Sequence, residues 1–116
     1  MSARSDAAAL RKSVRTSAQV FAALGDMTRL TLVTKLSDGE PCSIARLTET
    51  SKLTRQAITK HLRVLEGAGI VKSVRVGRES QFQFNARPIE DVRRYLDQVS
   101  RQWDLTLGRL KKFVEQ

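Results

Sequence analysis

The sequence predicts a mainly α-helical domain with one small β-hairpin, and three observations carry that prediction. Apolar residues recur at intervals of three and four over most of the chain. The period drops to two only between Ile70 and Phe84. Gly25, Gly39, Gly69 and Gly77 stand where one pattern gives way to the next. With 116 residues, of which 41% are hydrophobic, the chain can build one modest core, and small domains of this kind often complete theirs by dimerising.

Met1 to Asp6 reads as a flexible polar tail, leaving residues 7–116 as the folded domain. Ala7 to Leu24 is helix-prone, with Leu10, Val14, Phe21 and Leu24 on one stripe. Arg4, Arg11, Lys12 and Arg15 make this arm basic, most simply as a solvated face. Gly25 can end the helix, and Asp26 can cap the next by accepting from the amides of Thr28 or Arg29. The second helix is Thr28–Leu36, with Leu30, Leu32, Val33 and Leu36 expected in the core. Ser37-Asp38-Gly39 breaks the chain, and Ser43 caps a third helix that carries Ile44 and Leu47 to about Thr50.

After the tight turn Ser51-Lys52-Leu53, Thr54 caps a fourth helix closed by Gly67 and a left-handed Gly69. At about 100° per residue, Ile58, Leu62 and Leu65 share one arc of this helix, while Gln56, Thr59, Lys60 and Arg63 occupy the opposite one. That second arc offers amide, hydroxyl, ammonium and guanidinium groups and no carboxylate before Glu66, which suits a partner rich in acceptors, such as base edges and phosphates. Taken alone, the helix favours an ordinary solvated face; its neighbours in the chain change the odds. From Ile70, Lys72, Val74 and Val76 alternate with Val71, Ser73 and Arg75. Gly77-Arg78-Glu79 turns the chain, and Ser80, Phe82 and Phe84 alternate with Gln81 and Gln83. A helix, a short turn, a basic helix and then a hairpin with Arg75 and Arg78 at its tip make a winged helix-turn-helix. Pro88 opens a last long helix, along which Ile89, Val92, Leu96, Val99, Trp103, Leu107, Leu110 and Val114 keep a 3-4 spacing. No later helix can cover that stripe, so a homodimer joined through the first and last helices is the economical solution. Trp103 then belongs to core or interface.

Charge narrows the partner. Twenty-one Lys and Arg against twelve Asp and Glu leave +9, with an isoelectric point near 10.6, which draws in polyanions. Nucleic acid is the first candidate and an anionic membrane the second. The second is weakened because there is no apolar run of about 20 residues and no secretory leader pattern. A single cysteine, Cys42, cannot form an intrachain disulfide, and a reducing, cytoplasmic setting fits. Enzyme chemistry fares worst: one histidine, no phosphate-cradling glycine loop and no clustered carboxylate pair are on offer.

Three segments in order, Ala23-Leu24-Gly25-Asp26-Met27-Thr28-Arg29-Leu30, Leu53 to Leu65, and Gly67-Ala68-Gly69-Ile70-Val71, together with the wing, resemble the ArsR/SmtB winged-helix repressors. The likeness runs from about residue 20 to about 113. It implies a homodimeric repressor that binds an imperfect inverted repeat of double-stranded DNA and leaves it on a signal. The expected DNA contacts are Thr54, Arg55, Gln56, Thr59, Lys60, Arg63, Arg75 and Arg78. The expected dimer contacts are Leu10, Val14, Phe21, Leu96, Val99, Trp103, Leu107 and Leu110. The departures concern the signal. Ser43 and Ala45 occupy the positions where many members carry a cysteine pair, with Cys42 one residue out of register, and the last helix holds no histidine. Zinc takes three or four N or S ligands, so neither a metal nor any other cofactor is expected. The signal is left open among a small molecule between the dimer helices, cysteine oxidation, a partner, and nothing beyond the protein's own level. A winged-helix module that binds protein and has no DNA target is the alternative. His61 is expected to be a partly buried structural histidine and Cys42 an inert thiol.

Overall fold

The computed structural model describes residues 3–116, in the order α1 (Ala3–Leu24), α2 (Met27–Leu36), β1 (Cys42–Ser43), α3 (Ile44–Glu49), α4 (Arg55–Gly67), β2 (Val71–Val76), β3 (Glu79–Phe84) and α5 (Arg87–Glu115). The order and the antiparallel hairpin are those of a winged helix-turn-helix. Two ends move. Helix α1 begins at Ala3, four residues before the expected start; no Gly or Pro interrupts residues 3–7, and Asp6 puts a negative charge in the first turn, where the helix dipole favours it. Of the tail anticipated at Met1–Asp6, residues 3–6 are therefore helical, while Met1 and Ser2 lie outside the described residues.

The caps fall where the side chains can make them. The Asp26 carboxylate accepts from the Arg29 amide at 3.0 Å, Ser43 Oγ from the Arg46 amide at 3.1 Å, and Thr54 Oγ1 from the Ala57 amide at 3.1 Å. At the far end of α4, Gly69 (φ 76°) donates to the Glu66 carbonyl and Ile70 to that of Leu65, a Schellman closure that a Cβ would strain.

The core draws on every helix and on both long strands. Val20, Leu32, Leu36, Leu47, Ile58, Leu62, Leu65, Ile70, Val71, Phe82 and Val92 are buried. Leu30, expected among them, is half exposed. It sits about 200° around α2 from Leu32, on the side away from the core. The sheet has three strands, ordered β1-β3-β2, where a two-stranded hairpin was expected. β1 is two residues long, too short to show an alternation, and pairs Cys42 with Phe82 and Ser43 with Gln81. Val76 pairs with Glu79, so the hairpin loop is Gly77-Arg78 alone, with Gly77 at φ 63° as a II′ turn requires; Glu79 belongs to the strand.

Helix α5 leaves this body. Every residue from Arg101 to Gln116 is exposed, and the Cα radius of gyration is 19.0 Å, against about 13 Å for a compact domain of this length. Among the described residues, no helix is long and apolar enough to cross a membrane.

Candidate nucleic-acid interface

Helix α4 turns Ile58, Leu62 and Leu65 into the core, and that fixes what its other side presents. Arg55, Gln56 and Lys60 are exposed and make no side-chain hydrogen bond or ion pair with other described residues. Thr54 and Thr59 are already engaged with the backbone. Thr54 makes the cap, and the Thr59 hydroxyl donates to the Arg55 carbonyl at 2.7 Å. Each still has hydrogen-bonding capacity to spare.

Arg63 is placed differently from the others. Its guanidinium donates to Glu66 Oε1 at 2.7 Å and lies over the Phe82 ring, 5.4 Å from the centroid. The other oxygen of Glu66 accepts from the Ser73 hydroxyl of β2, also at 2.7 Å. The Ser73 bond first, and the Arg63 bond next, hold the Glu66 carboxyl below its ordinary range. On the wing, Arg78 occupies the loop itself, whereas Arg75 lies one rung further in, opposite Ser80. Both are exposed. The structure thus gathers Thr54, Arg55, Gln56, Thr59 and Lys60 on α4, sets the two wing arginines on the adjoining hairpin, and ties Arg63 to the joint between them.

Sequence reasoning passed over a second basic cluster. Lys35 of α2 donates to Thr50 Oγ1, and with Lys52 it borders a cleft lined by Thr28, Thr31 and Ser51 beside the start of α4. Lys35 and Thr50 are fifteen residues apart, so only the folded chain brings them together; the hydroxyl-rich run Thr48 to Thr54 was the one available signal.

The two single residues keep structural surroundings. His61 is half-buried, its Nδ1 3.4 Å from an Arg29 nitrogen and 3.8 Å from an Asp26 oxygen. Hydrogen bonding from the Arg29 amide is the chief cause that lowers the Asp26 pKa. Burial raises the pKa of Cys42, which disfavours its thiolate. Among the described residues, no three His, Cys, Asp or Glu side chains come together as metal ligands.

The expected dimer residues form a face without cover in the single chain. Leu10, Val14, Phe21, Leu96, Trp103, Leu107 and Leu110 are between 41% and 62% exposed, and Val99 is partly buried.

Known proteins share this arrangement. A helix-turn-helix domain family matches residues 24–74. The HTH-type transcriptional regulator YuzN of Bacillus subtilis is 39% identical over 79 residues, spanning 63% of this chain and 86% of the relative. Among solved structures, an ArsR-like transcriptional regulator from Rhodococcus sp. RHA1 superposes with a TM-score of 0.79 at 34% identity, over 88% of this chain and 95% of that one. The cadmium metal-sensor CMTR from Mycobacterium tuberculosis reaches a TM-score of 0.53 at 30% identity, over 61% of this chain and 73% of that one. A capped basic helix beside a wing, with a 39% identical relative covered over 86% of its length and a 34% identical structure covered over 95%, identifies the chain as a member of the ArsR family of DNA-binding helix-turn-helix transcriptional regulators.

Proposed function

We propose that the protein is a transcriptional repressor that works as a homodimer on an inverted-repeat operator. The observation that carries this reading is the uncommitted side of α4: Arg55, Gln56 and Lys60 have no partners among the described residues, on a helix whose opposite side is anchored in the core. Two such helices, related by the dimer axis, enter successive major grooves about 10 base pairs apart. Gln56 pairs with adenine and Arg55 with guanine, while Thr54, Thr59 and Lys60 serve phosphates and base edges. Arg75 and Arg78 reach the flanking backbone. The release signal is a non-metal one, since a single Cys and a single His per chain fall short of the donor set that zinc takes.

Duplex binding at two salt concentrations tests the reading, because phosphate neutralisation makes affinity fall steeply with salt. Binding that ignores salt, or no binding at low salt, would favour the alternative of a protein-interaction module. Two substitutions sort the contacts. Arg78→Ala is expected to weaken binding to all duplexes alike and to reduce the salt slope by about 1. Gln56→Ala is expected to change the preferred site instead, at about 1 to 3 kcal/mol for the lost base contact. A selection experiment that returns the parental site for Gln56→Ala at unchanged affinity would remove Gln56 from the readout.

A further inference from the structure

We infer that Arg63 does not read bases but, through Glu66 and Ser73, fixes the angle at which the wing leaves the recognition helix. The inference rests on the DNA-binding reading above and adds a positioning role to it.

The geometry is specific. Arg63 and Glu66 lie one turn apart on α4, and the two contacts they make outside it fall on one rung of the hairpin. Glu66 accepts from Ser73 on β2, Arg63 covers Phe82 on β3, and Ser73 and Phe82 are cross-strand partners. Phe82 is fully buried, so that rung is fixed to the core. Beyond it lie three more rungs, Val74 with Gln81, Arg75 with Ser80 and Val76 with Glu79, and then the loop that holds Arg78. At about 3.4 Å per residue those rungs form a lever of roughly 10 Å. A rotation of about 10° at its base moves the tip by nearly 2 Å, enough to lose a phosphate contact. Arg63 is itself held by a carboxylate at one guanidinium nitrogen and by an aromatic face, so swinging it away to a base edge gives up both contacts.

Glu66→Ala separates this role from direct readout because the two predict opposite signs. Deleting a carboxylate beside DNA relieves repulsion and frees Arg63, so a base-reading Arg63 predicts tighter or unchanged binding. A positioning role predicts about 5-fold weaker binding and a salt slope reduced by about 1, as for Arg78→Ala. The double variant Glu66→Ala/Arg78→Ala is expected to be no weaker than the poorer of its parents, since both remove the same wing contact. Ser73→Ala, which leaves every charge in place, is expected to act in the same direction. Tighter or unchanged binding by Glu66→Ala, or effects of Glu66→Ala and Arg78→Ala that multiply, overturns the inference while leaving the repressor reading intact. Hydrogen exchange on the protein without DNA supplies an arm independent of duplex binding. Glu66→Ala is expected to speed exchange about 3-fold or more at the amides of residues 73–80 and to leave α2 unchanged. Unchanged exchange in the hairpin overturns the inference even if the parent protein binds no duplex, the result that would sink the repressor reading itself.

Discussion

Trp103→Asp is expected to give a monomer that binds an inverted-repeat duplex at least about 100-fold more weakly than the parent protein. The reason lies in how much of the chain's apolar surface is left uncovered. Along α5, Leu96, Trp103, Leu107, Leu110 and Val114 are all at least 48% exposed, and α1 adds Leu10, Val14 and Phe21. At about 25 cal/mol per Å², a large side chain buried at a contact contributes on the order of 2 kcal/mol, so the face as a whole can hold two copies together. An unpaired carboxylate at its centre loses that gain and adds the cost of desolvating a charge. Separating the reading heads then removes the effective concentration that links two half-sites, typically 10² to 10⁴ in avidity. Sedimentation and fluorescence anisotropy measure the two effects, with circular dichroism to show that the chain still folds. A variant that stays dimeric would place the subunit contact elsewhere.

Phe82→Ala is expected to cost about 3 to 5 kcal/mol of stability. Phe82 is fully buried on the central strand of the sheet, where β1 and β2 meet it from either side and the Arg63 guanidinium covers its ring. Truncation opens a cavity between sheet and helices, in a close-packed interior that relaxes only partly around a lost ring. Against a total of about 5 to 15 kcal/mol for a domain, that is a large share, and the melting midpoint should fall by more than about 10 °C. Thermal melts at one fixed chain concentration test it, since the proposed dimer would make the midpoint concentration-dependent. A drop of only a few degrees would mean that the sheet is not fixed to the core through this ring.

Much of the fold was legible because its signals are local. Asp26, Ser43 and Thr54 each announce a helix with a short polar side chain, and each makes the cap it offers. Gly69 and Gly77 take the positive φ that their turns require. The α4 pattern of Ile58, Leu62 and Leu65 identifies which side is buried. What escaped depends on contacts distant in sequence. Strand β1 exists only because β3 passes beside Cys42, and Leu30 is exposed because a ten-residue helix can turn just one edge inward. For the site, helical spacing placed Gln56, Thr59, Lys60 and Arg63 on one arc but could not show that Arg63 would be claimed by Glu66 and Phe82. The run Lys72-Ser73-Val74 gave no hint that Ser73 would reach back to α4.

Arg29 sits at the elbow between α1 and α4. Its guanidinium donates to the carbonyls of Ala22 and Ala23 at the end of α1 and meets the His61 ring on α4, while its own amide is held by Asp26. One planar guanidinium therefore joins the end of α1, whose exposed apolar side the proposed dimer would cover, to α4, the helix proposed to enter the groove. In the proposed dimer, tilting either arm against its counterpart would carry the attached α4 along the groove, so the span between the paired α4 helices would be geared to this clasp. Operators whose half-sites are spaced a base pair too wide or too narrow would have to bend the elbow before they could be gripped.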